Sequence, residues 1–152
     1  LDLMIHDIDI VLKFVYAPVK SIDSVGVPVL SPNADIANVR IHFQDGTVAN
    51  LTASRVSAKR TRKIRFFQRD AYVSVDYDAG KVQVFRRIAG SDESSPEIVG
   101  HEQEVGESDA LRTELEAFVE SVRTREPPEV GGTEGKKALQ VALRILRKMR
   151  TA

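Results

Sequence analysis

The chain of 152 residues predicts a single α+β domain spanning 1–152. It should hold a large, mostly antiparallel sheet of about six strands, with helices on one face and the other face open. Three observations predict this. Apolar residues recur at helical spacing at the start and again in the last third. From residue 36 the period changes to two. The links between the alternating runs are too short for parallel crossovers, which need a dozen or more residues.

Residues 1–16 read as a short extended entry and a helix, with Ile5, Ile8, Val11, Leu12 and Val15 forming one apolar stripe. Ala17-Pro18 ends it, because the residue before proline is pushed out of the helical region. Residues 19–30 are rich in β-branched side chains and read as a strand, closed by the turn cluster Ser31-Pro32-Asn33. Val39, Ile41 and Phe43 then alternate with polar residues up to Asp45-Gly46, a hairpin signal since glycine accepts the positive φ of a tight turn. Residues 47–57 return, and 61–68, 71–77 and 81–88 continue the meander. Residues 89–95 are a polar loop, and 96–105 a candidate last strand. Ser108 is a plausible N-cap for a helix carrying Leu111, Leu115, Phe118 and Val122, stopped by Pro127-Pro128. A final helix begins at Thr133, with Ala138, Val141, Ala142, Ile145 and Met149 on one side and Arg144, Arg147, Lys148 and Arg150 near its end. Strand positions of both parities are apolar, as at Phe66-Phe67 and Val84-Phe85, so the open sheet face calls for a partner subunit.

Lys and Arg together number 22, as do Asp and Glu, so the formal net charge is zero. That balance argues against a nucleic-acid binder or a membrane-surface protein. The absence of cysteine excludes disulfides and thiolate metal sites, and makes a reducing cytoplasm the expected compartment. No apolar run approaches the ~20 residues of a membrane helix, and the acidic, base-free start is unlike a signal peptide. The chain opens on Leu1 inside an apolar-periodic segment, from which we expect it to be part of something longer.

The densest titratable group is Asp2, His6, Asp7 and Asp9. Asp2 and His6 are four apart and leave the same side of a helical turn. A carboxylate beside an imidazole fixes the ring's tautomer and raises its basicity, as general acid–base chemistry requires. Asp9, three beyond His6, completes the face or bonds the ring's other nitrogen. On spacing alone a capping Asp and an ordinary hydrogen-bonded His is the commoner outcome, and a metal held by Asp2, His6 and Asp9 is a weaker third option. The run Arg55, Lys59, Arg60, Arg62, Lys63, Arg65 is a solvated hairpin end or a clamp for a phosphate or carboxylate; nucleic-acid binding is a third option that the neutral charge and the lack of a ribonucleoprotein-type motif oppose. No Gly-x-Gly-x-x-Gly, P-loop or Gly-x-Ser-x-Gly sequence is present, so the chain by itself has no usual dinucleotide site.

Asp2-Leu3-Met4-Ile5-His6-Asp7-Ile8-Asp9 resembles the segment that opens the second domain of the glucose–fructose oxidoreductase/inositol dehydrogenase (Gfo/Idh/MocA) family. The closing stretch, Phe118 to Arg123, Pro127-Pro128 and Gly135 to Leu139, is similar to that family's final helix–proline–helix. The resemblance implies a C-terminal α+β substrate domain and an N-terminal Rossmann domain, outside this chain, that binds NAD or NADP. It implies His6 as the acid–base acting on a sugar hydroxyl, and Asp2 as the residue binding that hydroxyl or orienting His6. It further implies oligomerisation through the open sheet face, and no activity for this chain alone. The segment Thr52-Ala53-Ser54-Arg55-Val56 resembles members acting on nucleotide-linked amino sugars, with Arg55 and Asp9 as substrate-binding candidates.

Overall fold

The computed structural model describes residues 4–57, 63–77, 79–88, 97–105, 109–128 and 130–151. It is α+β, and the chain divides into two compact units, residues 1–58 with 121–152, and residues 59–120.

In the first unit, helix α1 (Ile5–Phe14) leads to strands β1 (Val19–Val27), β2 (Ile36–Phe43) and β3 (Val48–Ser54). These strands form an antiparallel meander, and a two-residue strand β8 (Arg150–Thr151) pairs parallel with β1 at Val25 and Gly26. Helix α3 (Gly132–Lys148) precedes β8 and packs on α1 and β1. The expected stripes are the buried ones: Ile8 and Val11 of α1 meet Ala138, Val141, Ala142 and Ile145 of α3 in one core with Ile22, Val39, Ile41, Phe43 and Leu51. All five strand residues lie on one sheet face, so both helices cover that face. The turn after β2 is the expected one: Gly46 has φ +89°, and the Thr47 N–H bonds the Asp45 carboxylate at 2.9 Å.

The opposite face of this sheet is polar. Along it the Arg40 Nε donates to Asn50 Oδ1 at 2.8 Å, Thr52 donates to Asn38 at 2.9 Å, and His42 lies 3.5 Å from Asp23. The expectation of apolarity on both faces therefore does not hold for β1 to β3.

It does hold for the second unit. Strands β4 (Lys63–Phe67), β5 (Ala71–Asp76), β6 (Lys81–Ile88) and β7 (Glu97–Glu104) form their own four-stranded antiparallel sheet. The register places Ile64, Phe66, Val73, Val75, Val82 and Val84 on one face. On the other face Phe67, Tyr72 and Phe85 make a row, with ring centroids 5.0 and 5.8 Å apart, and the Phe85 ring covers Gly100 of β7. A Cβ at Gly100 would fall 2.7 Å from that ring, so a larger residue there would make the Phe85 ring shift. The single large sheet thus becomes two four-stranded sheets among the described residues, because short turns reveal which strands are antiparallel neighbours but not where a meander is interrupted.

Helix α2 (Ala110–Thr124) starts one residue later than a Ser108 cap would place it. Ser108 lies outside the described residues, and the Asp109 carboxylate accepts from the Arg112 N–H at 3.1 Å, as an N-cap does. α3 is closed at its start by Glu134, which accepts from the Gly131 N–H at 3.0 Å. The starts of α2 and α3 are therefore each met by one of the protein's own carboxylates. No helix among the described residues is long and apolar enough to cross a membrane.

Candidate functional site

Helix α1 positions the site by burying one side and exposing the other. Met4, Ile8 and Val11 recur at i, i+4 and i+7, and burial of this stripe fixes the rotation of the helix. At about 100° per residue His6 lies roughly 200° around the axis from Met4, on the exposed side. Asp9 follows one turn later on the same side and is half-buried. Among the described residues, the side chains of His6 and Asp9 make no hydrogen bond or ion pair, with each other or with anything else. Asp2 lies outside the described residues.

Arg55 follows β3 and is exposed, and its guanidinium has no partner among the described residues. No hydrogen bond or ion pair joins Arg55 to His6 or Asp9 among the described residues. Of the rest of the basic run, 59–62 fall outside the described residues, Lys63 pairs with Asp76 at 2.8 Å, and Arg65 is exposed.

What holds Arg55 in place was not visible in the sequence. Its backbone N–H donates to the carbonyl of Asp35 at 3.0 Å. Asp35 is only 5% exposed, and its Oδ2 accepts the N–H groups of Val29, Leu30 and Ser31 at 2.9, 2.7 and 2.9 Å. Those three backbone donors, led by Val29, hold the Asp35 carboxyl down at about 2, against an ordinary value of 3.8. Asp35 thus braces the loop between β1 and β2 and, through its carbonyl, the start of the segment bearing Arg55. The only signal for it was a turn cluster followed by Asp just before an alternating run.

A lowered carboxyl stabilises the fold fully above the unfolded value, and that contribution is lost as pH falls through the folded one. We therefore expect Asp35→Asn to melt below wild type at neutral pH. The gap should close between about pH 4 and pH 2, as thermal scans at stepped pH will show. A gap unchanged down to pH 2 would mean that the Asp35 charge does not brace the loop.

No family model matches the chain. It is 34% identical over 145 residues to the UDP-N-acetylglucosamine 3-dehydrogenase of Acidithiobacillus ferrooxidans, covering 95% of this chain and 46% of that protein. The solved structure of that enzyme, GnnA, superposes with a TM-score of 0.87 at 32% identity, over 96% of this chain and 47% of that one. At the level of fold alone, levoglucosan dehydrogenase in complex with NADH matches with a TM-score of 0.78 at 13% identity, over 97% of this chain and 46% of that one. The WlbA dehydrogenase of Bordetella pertussis, in complex with NADH and UDP-GlcNAcA, matches with a TM-score of 0.64 at 16% identity, over 96% of this chain and 40% of that one. The chain spans less than half the length of each of these relatives. Near-complete superposition on a sequence relative, joined to the Asp-x-x-x-His segment, leads to one conclusion: the chain belongs to the Gfo/Idh/MocA family of oxidoreductases, as its α+β domain.

Proposed function

We propose that the chain is the C-terminal substrate domain of an NAD(P)-dependent dehydrogenase acting on a sugar, and in particular on a nucleotide-linked amino sugar. The observation that carries this is His6, exposed on α1 and with a side chain that bonds nothing among the described residues, in a chain alignable almost end to end with a UDP-N-acetylglucosamine 3-dehydrogenase. In this role His6 takes the proton of the hydroxyl being oxidised and returns it in the reverse direction. Asp2 and Asp9 flank the ring to orient it or bind the sugar, and Arg55 meets a phosphate or sugar carboxylate.

The residues of this chain do not fit a dinucleotide. The starts of α2 and α3 are closed by Asp109 and Glu134, and no glycine-rich turn joins a strand to either. Accepting the hydride is the part of NAD or NADP, held by an N-terminal Rossmann domain outside this chain. The 152 residues alone should therefore show no turnover with sugar and NAD(P), while the intact protein does. Turnover by the isolated chain would overturn this division of labour. A cysteine-free chain that works with a nicotinamide cofactor suits the cytoplasm.

The partner of this domain is a second copy, through the aromatic face of the β4–β7 sheet. Across that face one row reads Lys63, Asp76, Lys81, Glu104 and the next reads Arg65, Ser74, Gln83, Glu102. A two-fold axis parallel to the strands reverses the order, setting Lys63 over the partner's Glu104, Asp76 over the partner's Lys81 and Arg65 over the partner's Glu102. The same operation lays the Phe67–Tyr72–Phe85 row on its copy, where Phe67, 79% exposed, is otherwise left in water. Arg65→Glu should give monomers in sedimentation, and Arg65→Glu with Glu102→Arg should restore the oligomer. A clean monomer for the wild type at micromolar concentration would rule the interface out.

A further inference from the structure

Of the three described helices, α2 alone keeps its apolar stripe in water. Leu111, Leu115, Phe118 and Val122 recur at i, i+4, i+7 and i+11, and they are 65, 55, 62 and 64% exposed. Every residue from Leu111 to Glu120 is exposed, whereas α1 and α3 bury their stripes in the core. The helix is nevertheless well closed at its ends. Asp109 meets its start, Arg112 pairs with Glu116 at 2.8 Å on its polar side, and Ser121 donates to the Glu126 carbonyl at 2.6 Å beyond its last turn. A helix of 15 residues is marginal in water without tertiary packing. A stripe of four large apolar side chains with no charge among them therefore calls for a cover.

Size decides what that cover is. A helix of this length is about 22 Å long and about 10 Å across. Two such stripes laid together cover far less than the ~1,200 Å² that a specific pair of free chains buries. A segment of the same polypeptide needs no such area, because tethering holds it at an effective concentration on the order of millimolar. The relatives have that segment. The chain spans 46% of the Acidithiobacillus ferrooxidans dehydrogenase and 47% of its solved structure, so more than half of that polypeptide lies outside the matched region.

We infer that the Leu111–Leu115–Phe118–Val122 stripe of α2 is the seat on which the N-terminal half of the intact protein docks, covering it with an apolar surface of its own. The inference rests on the reading of this chain as a C-terminal half, and it uses neither His6 nor the sugar. Hydride transfer between a cofactor on one half and a sugar at His6 on the other depends on such a seat, since a misplacement of about 1 Å can cost 10²-fold.

Photo-crosslinking in the intact protein tests the seat directly. Phe118→p-benzoylphenylalanine should, on irradiation, join α2 to a residue preceding Leu1, in a product of single-chain mass. Thr113→p-benzoylphenylalanine, about 200° around the axis from Leu111, should not. A product of twice the chain mass would seat a second copy there and overturn the inference. A link confined to residues 1–152, or none beyond the Thr113 control, overturns it equally. In kinetics, Leu115→Ser with Phe118→Ser should lower kcat/KM by about tenfold or more while leaving cofactor affinity unchanged. Leu115→Met with Phe118→Leu, which keeps the stripe apolar, and Ala117→Ser, outside the stripe, should each stay near wild type. Wild-type kcat/KM in the double serine variant would also overturn the inference, with circular dichroism verifying that α2 is intact. If the intact protein reduced no cofactor, the dehydrogenase reading would fail while the crosslink still decided the seat.

Discussion

Replacing His6 by alanine in the intact protein should lower kcat by about 10²–10⁴-fold, the usual loss when a positioned acid–base group is removed. The position makes the experiment easy to interpret. His6 is exposed, and its side chain bonds nothing among the described residues. Its removal should therefore change stability by no more than about 0.5 kcal/mol, as for other surface sites. A large fall in kcat at unchanged melting temperature then reports on chemistry. Asp9→Asn, on the same face but without a proton-transfer role, should alter KM more than kcat. If His6→Ala stayed within a few-fold of wild type, His6 would be an ordinary surface histidine and the face of α1 would have lost its role.

Phe43→Ala should cost about 3–5 kcal/mol, a large share of the ~5–15 kcal/mol that stabilises a domain. Phe43 is 2% exposed at the end of β2, in the same core as Met4 and Ile8 of α1 and Ile145 of α3. Deleting its ring leaves a void that the sheet and two helices cannot all close. Since the rotation of α1 is set by that core, the variant should lose activity together with stability. Val48→Ala, at an exposed strand position, should do neither. Urea denaturation with the midpoint and slope fitted separately measures the cost. A change within 1 kcal/mol would show that the core does not hold α1 as described.

How much of this could be read in the sequence depended on whether the signal was local. α1 and α3 were legible because their apolar stripes repeat within one helix, and both stripes are the buried ones. The hairpin at Gly46 was legible because two residues determine it. Strand β8 was not: two residues carry no period, and their parallel pairing with Val25 and Gly26 arises only because α3 delivers them there. The division into two sheets was hidden for the same reason, since alternation fixes faces and not lateral order. It also misled on apolarity, as Phe66-Phe67 and Val84-Phe85 belong to the second sheet while the first shows polar Asn38, Arg40 and Asn50 outward. At the site, His6 and Asp9 lie one turn apart on α1, as their spacing implies. Asp35 stayed unseen because three backbone amides converge on it only after the loop has folded.

The central claim is that the His6 face serves the oxidation of a nucleotide-linked amino sugar. The most direct measurement is formation of reduced nicotinamide cofactor by the intact protein, with UDP-N-acetylglucosamine compared against free sugars. Cofactor reduction is expected with the nucleotide-linked substrate, with a much lower kcat/KM for the free sugars and loss of the reaction in His6→Ala. Cofactor reduction that is indifferent to His6, or no reduction with any sugar in the panel, would contradict it.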